Sequence, residues 1–400
     1  MKNILFVSDY PFPLDKGSFQ HAYVYLKTLA ARFNVYGVFF LPTDTPQPPR
    51  EEALRFLGEM GVRRYEFCRY ADSAYRGRFF GALEELTAFP YLYMKKATHA
   101  EGANIINKFI HKYSIDIVHF ESLHYTGYAF CTPRHVRKVL VYHDLHHLVD
   151  LHHIRFERSY FNRFVLLPFS ALKKYIYQLM LEDKVDLKIF LNGEEMSRLP
   201  RNSVHVPHVV NPQIRYREPK DKTSLNVLFV GGYCHPPNRV SFRFLLDEIL
   251  PELMKKTRRF TLQIVGNGTE RFAPHVLAKK LNGFVRIKGF VPDINDVFSE
   301  ADIALFPILY GGGIKTKVIE AMAAGIPVVT TPQGVYGLKD LPPGTIGIGR
   351  SRNELIDQLI LLMDDPSLRV ERSRKGKEYI ERNHSMERLE EKLVPIYAGL

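Results

Sequence analysis

The sequence predicts an α/β protein built from two open, doubly wound parallel sheets, and three observations predict it. Short apolar runs closed by turn residues alternate with helical stretches along most of the chain. The rhythm stops near Val204 and restarts after a charged, proline-containing stretch that ends about Lys222. Four hundred residues are also too many for one ordinary hydrophobic core.

The first unit opens with the apolar run Ile4–Val7, a polar loop containing Gly17, a helix over about Phe19–Arg32 and a strand over Val35–Leu41. That order is a parallel βαβ unit, which binds ligands beyond the carboxyl ends of its strands. Further strands fit Ile115–Phe120, Lys138–Tyr142 and Leu187–Leu191, so residues 1–208 read as one Rossmann-like domain. Residues 209–222 read as a linker. Strands at Asn226–Val230, Thr261–Val265, Val285–Lys288, Ile303–Phe306 and Pro327–Thr330 then build a second such domain over residues 223–384. The last helix, within residues 385–400, either closes this second domain or crosses back to the first; the sequence leaves both open. The proline-rich stretch Thr43–Arg50 is read as a stiff loop without chemistry.

With 46% apolar, 12% aromatic and 24% charged residues, the chain excludes wholesale disorder. A net charge of +12 favours anionic neighbours, but the excess divides evenly between residues 1–208 and the remainder, so no basic arm points to nucleic acid. Cys68, Cys131 and Cys234 are widely spaced and include no C-x-x-C pair, which suits a reducing compartment. The N-terminal apolar run is too brief for a signal peptide, and no run reaches membrane-spanning length; the expectation is a cytoplasmic protein read from Met1.

The stretch richest in chemistry is the buried strand Ala301–Pro307 followed by Gly311-Gly312-Gly313 and a helix over about Ile314–Ala324. Glycines let the backbone approach a diphosphate, and the free N–H groups at the helix start favour its charge. Lys315 and Lys317 lie in the first turn, where a cation opposes the helix dipole unless an anion is near. Glu320, deeper in the helix, can accept two hydrogen bonds from a ribose diol. The plainer alternative is a flexible turn with Lys317 and Glu320 as an ordinary surface pair.

Ile314–Val329 resembles the donor-site signature of the retaining glycosyltransferase family 4 (group 1) enzymes. Leu228–Gly232, Ile264–Gly268 and Lys288–Val291 are similar to that family's donor-domain elements in the same order. Asp116–His119 and Val141–Asp144 resemble its acceptor-side strand ends, and Gly17 falls where its N-terminal glycine loop lies. The resemblance implies a GT-B fold, two Rossmann-like domains facing across a cleft, with the acceptor entering from the first. It implies that Gly17, Gly311, Gly312, Gly313, Ile314, Lys315, Lys317 and Arg239 meet the diphosphate and sugar. Glu320 would take the ribose, and Gly289, Phe290 and Val291 the base. The donor would be a UDP-, GDP- or other nucleoside diphosphate sugar, transferred with retention and without a metal, in polysaccharide or glycolipid synthesis. The chain departs from the pattern at Gly312, where the family carries the first of two glutamates, and lacks a lysine after the opening donor-domain strand. A non-catalytic sugar-nucleotide or glycan-binding module is therefore the alternative. A nicotinamide-dependent dehydrogenase ranks last, because the loop after Val7 lacks G-x-G-x-x-G.

His143 and Asp144 follow a strand directly and are candidates for acceptor binding or acid–base work, against the reading of Asp144 as a helix cap. His119 and Glu121 also end a strand, where a buried, satisfied histidine competes with a catalytic one. No metal is expected, since the histidines show no ligand spacing. Residues 155–181 mix Arg155, Arg158, Arg163, Lys173 and Lys174 with aromatic and aliphatic residues, the composition of a helix lying on an anionic membrane. The preferred reading is the blander one, a helix pair with solvated lysines divided at Pro168. The acceptor, glycan, lipid-linked or small molecule, and the oligomeric state are not written in the sequence.

Overall fold

The computed structural model describes residues 1–10, 17–42, 50–70, 87, 89, 99–281 and 283–400. The chain divides into two compact units, residues 1–209 together with 386–400, and residues 210–385.

In the first unit, strands β1 (Asn3–Asp9), β2 (Asn34–Pro42), β3 (Arg64–Tyr70), β4 (Ile117–Phe120), β5 (Arg137–Tyr142), β6 (Leu187–Phe190) and β7 (Ser203–His205) form one sheet in the order β3-β2-β1-β4-β5-β6-β7. Every pairing is parallel. Strand β1 reads as an unbroken apolar run because both of its faces are covered. Leu5 and Val7 enter one core, Ile4 and Phe6 the other. Helix α1 (Gly17–Ala30) follows β1, and helices α2 (His146–Ile154) and α3 (Leu167–Leu181) lie between β5 and β6.

The second unit repeats the plan. Strands β8 (Leu225–Val230), β9 (Phe260–Val265), β10 (Val285–Gly289), β11 (Ile303–Phe306), β12 (Val328–Thr330) and β13 (Gly347–Ile348) run in the order β10-β9-β8-β11-β12-β13, again all parallel. Helix α4 (Pro236–Phe244) follows β8, and α5 (Thr316–Ala323) follows β11. The stretch read as a linker packs on this unit, with the Arg217 amide bonded to the Ala324 carbonyl at 3.0 Å and Arg369 paired to Asp221 at 3.1 Å. The final helix, α6 (Met386–Gly399), belongs with the first unit. Its Leu389, Leu393 and Tyr397 recur every fourth residue and are fully buried in that unit's core beside residues of α1.

The doubly wound α/β expectation is met, and three strands exceed it. β3 escaped because Cys68 is the only buried one among its described side chains and no apolar run marks it, while β7 and β13 are sheet edges of three and two residues. The glycine-loop helix starts at Thr316, two residues later than read, because Lys315 takes the capping position. Of the loop read at Thr43–Arg50, residues 43–49 lie outside the described residues, and Arg50 opens a helix.

The reading of residues 155–181 as a helix pair with solvated lysines divided at Pro168 is corrected. Lys173 is buried and Lys174 binds Asp150 at 2.6 Å, whereas Phe164, Phe169, Leu172, Tyr175, Ile176, Leu179 and Met180 are exposed. Pro168 does not end the helix; a π-helical turn over Asn162–Leu166 runs straight into α3, and the wider turn precedes the proline. Among the described residues no helix is long and apolar enough to cross a membrane.

Leu393→Ala is expected to cost the first unit about 2–5 kcal/mol through a buried cavity. Chemical denaturation followed by a probe in that unit checks it, with the second unit's transition unmoved.

Candidate functional site

Both sheets reverse their winding beside a central strand, between β1 and β4 in one and between β8 and β11 in the other, and loops at such a point diverge to leave a crevice beyond the strand ends. The candidate residues lie at these carboxyl ends.

In the second unit, Gly311 and Gly313 adopt φ of 131° and 61°, a backbone that favours glycine, and the chain then enters α5. Lys315 does not extend away from this loop. Its ammonium donates to the carbonyls of Gly312 and Gly313 at 2.7 and 2.8 Å, tying the loop to the helix start, and Gln333 Nε2 donates to the Gly311 carbonyl at 2.6 Å. Lys317 donates to Asn238 Oδ1 at 2.6 Å and lies over the ring of Phe229, 4.8 Å from its centroid. Burial, with the charge of Lys315 adding to it, lowers the Lys317 ammonium to about 7.

Glu320 is buried, and its Oε1 has no hydrogen-bond partner among the described residues. Lys317 pairs elsewhere, so the ordinary surface pair is not what forms. Burial alone raises the Glu320 carboxyl to about 8. A buried, unsatisfied carboxyl is costly unless a ligand completes it.

Arg239 folds back toward the carbonyl of Cys234, at 3.3 Å. At the end of β10, Gly289 has φ of 70°, and a Cβ there would stand 1.9 Å from Glu270 Oε1. Beyond it Phe290 is exposed and Val291 packs against the core. Ile314 likewise packs against the core from the glycine loop.

In the first unit, Gly17 opens α1 after the β1 loop. Glu121, one residue past β4, is buried and collects three imidazoles: His21 through Nδ1, His119 through Nε2 at 2.8 Å and His143 through Nε2 at 3.2 Å. His119 spends its other nitrogen on the Tyr397 hydroxyl and stacks on Phe6, so the satisfied, wholly buried histidine is what the structure contains. His143 retains a quarter of its side-chain exposure. Asp144 does not cap α2, whose capping residue is Leu145; its Oδ1 lies 3.3 Å from His146 Nε2. Burial would raise the Glu121 carboxyl, but the His21 charge and the imidazole hydrogen bonds outweigh it and hold the group well below the usual carboxylate range. Burial lowers His21, whereas at His143 the hydrogen bonds and charge of Glu121 overcome burial and raise it.

One ligand atom each from His21, Glu121 and His143 lie within 4.8 Å of one another, a spacing a metal ion can bridge. Their hydrogen bonds to one another account for that closeness.

Residues 224–365 match the family model described as glycosyl transferases group 1. The match falls within the second unit. The phosphatidyl-myo-inositol mannosyltransferase of Mycobacterium leprae is 28% identical over 199 residues, 47% of this chain and 51% of that protein. The chain thus spans about half the length of the curated relatives it first matches. Among solved structures, the sucrose-phosphate synthase of Thermosynechococcus elongatus superposes with a TM-score of 0.71 at 15% identity, over 100% of this chain and 99% of its own. HepE of Anabaena, solved with UDP and glucose, gives 0.68 at 12% identity over 100% of both chains. These likenesses show the fold, two Rossmann-like units of the GT-B type.

Within the matched residues, Gly312 stands where the resemblance places a glutamate, and Asn238 of α4 anchors the Lys317 ammonium. Sequence reading missed Asn238, Gln333 and His21, because their bonds to Lys317, Gly311 and Glu121 each span 22 or more residues. Asn238 left one signal, its place just past Gly231-Gly232.

The two shifted groups set a pH dependence. The unfolded Glu320 carboxyl ionises near its ordinary 4.5 and the folded one near 8, so between those values the folded state holds the extra proton and stability falls as pH rises. Lys317 opposes this only above about 7. From pH 5 to 7, Glu320→Gln is therefore expected to gain on the native protein by about 1–3 kcal/mol. Denaturant titrations across that range check it; parallel curves for the two proteins exclude it.

Proposed function

We propose that the protein is a glycosyltransferase that moves a sugar from a nucleoside diphosphate sugar to an acceptor hydroxyl. The observation that carries this reading is the unsatisfied buried Glu320 carboxyl beneath a glycine loop and helix start in a group 1 domain. The amides at Gly311–Ile314 and the start of α5 meet the diphosphate, with Lys317 supplying charge as negative charge develops on the leaving group. Lys315 holds the loop in shape for it, and Arg239 supplies a second cation when it swings from the Cys234 carbonyl. Glu320 takes the ribose hydroxyls. Gly289, Phe290 and Val291 take the base, Phe290 offering an exposed ring. Gly17 borders the sugar. His143, with Asp144 beside it, meets the acceptor, a glycan, lipid-linked or small molecule. The UDP held by a structural neighbour supports a uridine nucleotide first among the donors to try. Retention follows from the family resemblance, as does surface polysaccharide or glycolipid synthesis.

The outward apolar face of α3 and the residues before it also supports peripheral contact with an anionic membrane. From Arg158 to Leu181 the chain has no acidic residue, and Arg158 and Arg163 are exposed beside aromatic rings that suit the interface. Free thiols at all three cysteines fit a cytoplasmic placement at the inner face.

Thermal unfolding against a panel of nucleoside diphosphates and their sugars is expected to show a base-specific rise in melting temperature that Glu320→Ala abolishes. Acceptor-dependent release of nucleoside diphosphate then separates an enzyme from a binding module with Gly312 as its lesion. For the membrane, flotation with phosphatidylglycerol vesicles at low salt is expected for the native protein and lost in Phe164→Glu/Leu172→Glu; a native protein that stays at the bottom of the gradient ends that reading.

A further inference from the structure

The histidine cluster of the first unit carries an inference that rests on His143 being the residue that meets the ligand. One buried carboxylate serves three imidazoles. Because a carboxylate only accepts hydrogen bonds, each imidazole must point an N–H at it, which fixes His21 with its proton on Nδ1 and both His119 and His143 with theirs on Nε2. The His143 Nε2–H has a second acceptor in the Glu121 backbone carbonyl at 2.9 Å, so that ring is held from two sides. His119 is locked from behind by Tyr397, and His21 is buried between Tyr25 and His143. Of the three, only His143 reaches solvent.

We infer that Glu121 is a positioning residue, which holds the His143 proton on Nε2 and leaves Nδ1 as the atom that meets the ligand. A neutral His143 then presents a lone pair to an acceptor hydroxyl; a charged one presents Nδ1–H to a ligand oxygen. Glu121 favours the charged form, in agreement with the raised proton affinity of that imidazole.

Among the described residues, Asp144 and His146 act on His143 from its own segment, His21 from α1, and Glu121 and His124 from the β4 end. Tyr25, His119, His208 and Tyr397 surround His21 or Glu121 instead. Among the groups whose charge acts on His143, Glu121 and Asp144 are the anions, and Glu121 is the one within hydrogen-bond reach. The buried His21 Nε2, without a hydrogen-bond partner among the described residues, shows that the network is oriented toward the carboxylate even where that leaves an atom unsatisfied.

The test is long-range proton–nitrogen NMR of the full chain with labelled histidine, His143 being assigned by the signal lost in His143→Gln. The native protein is expected to show a neutral His143 protonated on Nε2 and a midpoint above the ordinary 6.5. Glu121→Gln should lower its proton affinity about tenfold or more and mix the tautomers, and Glu121→Asp should restore most of the native pattern. A native His143 protonated on Nδ1, or a Glu121→Gln spectrum with unchanged tautomer and midpoint, overturns the inference, and the native measurement stands even if the variant does not fold. Because no donor is present, these results are independent of whether sugar transfer is the activity. With transfer established, Glu121→Gln is expected to shift the pH profile of kcat to lower pH while the donor KM stays fixed; a KM effect alone would mark Glu121 as structural only.

Discussion

Parallel pairing of a central strand on both of its edges is the constraint from which the rest follows. β1 bonds to β2 and β4, and β8 to β9 and β11, so the chain must leave each central strand in one direction and return on the other side. A parallel return needs a crossover, the crossover needs a helix, and the helices must cover both faces of the sheet. That is why each central strand carries an unbroken apolar run, Ile4–Val7 and Val227–Val230, and why the loops with chemistry gather at one end. The glycine turn before α5, the Glu121 carboxylate and the His143 ring all stand at such ends because the winding leaves room nowhere else.

What was legible in the sequence follows from how far each signal reaches. β1, β8 and β11 show themselves through local composition, since burial on two faces forces consecutive apolar residues. β3 does not, because an edge strand that buries little beyond Cys68 has no reason to be apolar. The glycine loop and Glu320 are contiguous and could be read as a motif. The hold of Asn238 on Lys317 and of Glu121 on His21 bring together residues from separate crossovers, and nothing local in either partner announces the other. Lys315 shows the limit most plainly: its position suggested a phosphate ligand, but a side chain of that length also reaches back to the carbonyls of its own loop.

The two sets of candidate residues handle charge in opposite ways. At α5 the lysine and glutamate are desolvated apart from each other, so each is pushed toward neutrality. Around Glu121 the hydrogen bonds are complete on the carboxylate side, so burial strengthens the network and the anion is kept. The first arrangement suits a site that accepts an ionic guest. The second suits one that must hold a ring at a fixed angle before any guest arrives.

Helix α6 gives the protein an order of assembly. During synthesis the chain emerges from its N-terminus, and the sheet of the first unit is made long before the helix that covers it. Leu389, Leu393 and Tyr397 are translated only after all of residues 210–385, so the apolar surface they bury, and the ring of His119 that Tyr397 meets, stay uncovered while the second unit is being built. The second unit has no such debt and can close on its own sheet as it emerges. The first domain to be made is therefore the last to be finished, and a ribosome stalled within the second unit leaves a nascent chain with an open hydrophobic face for chaperones to hold.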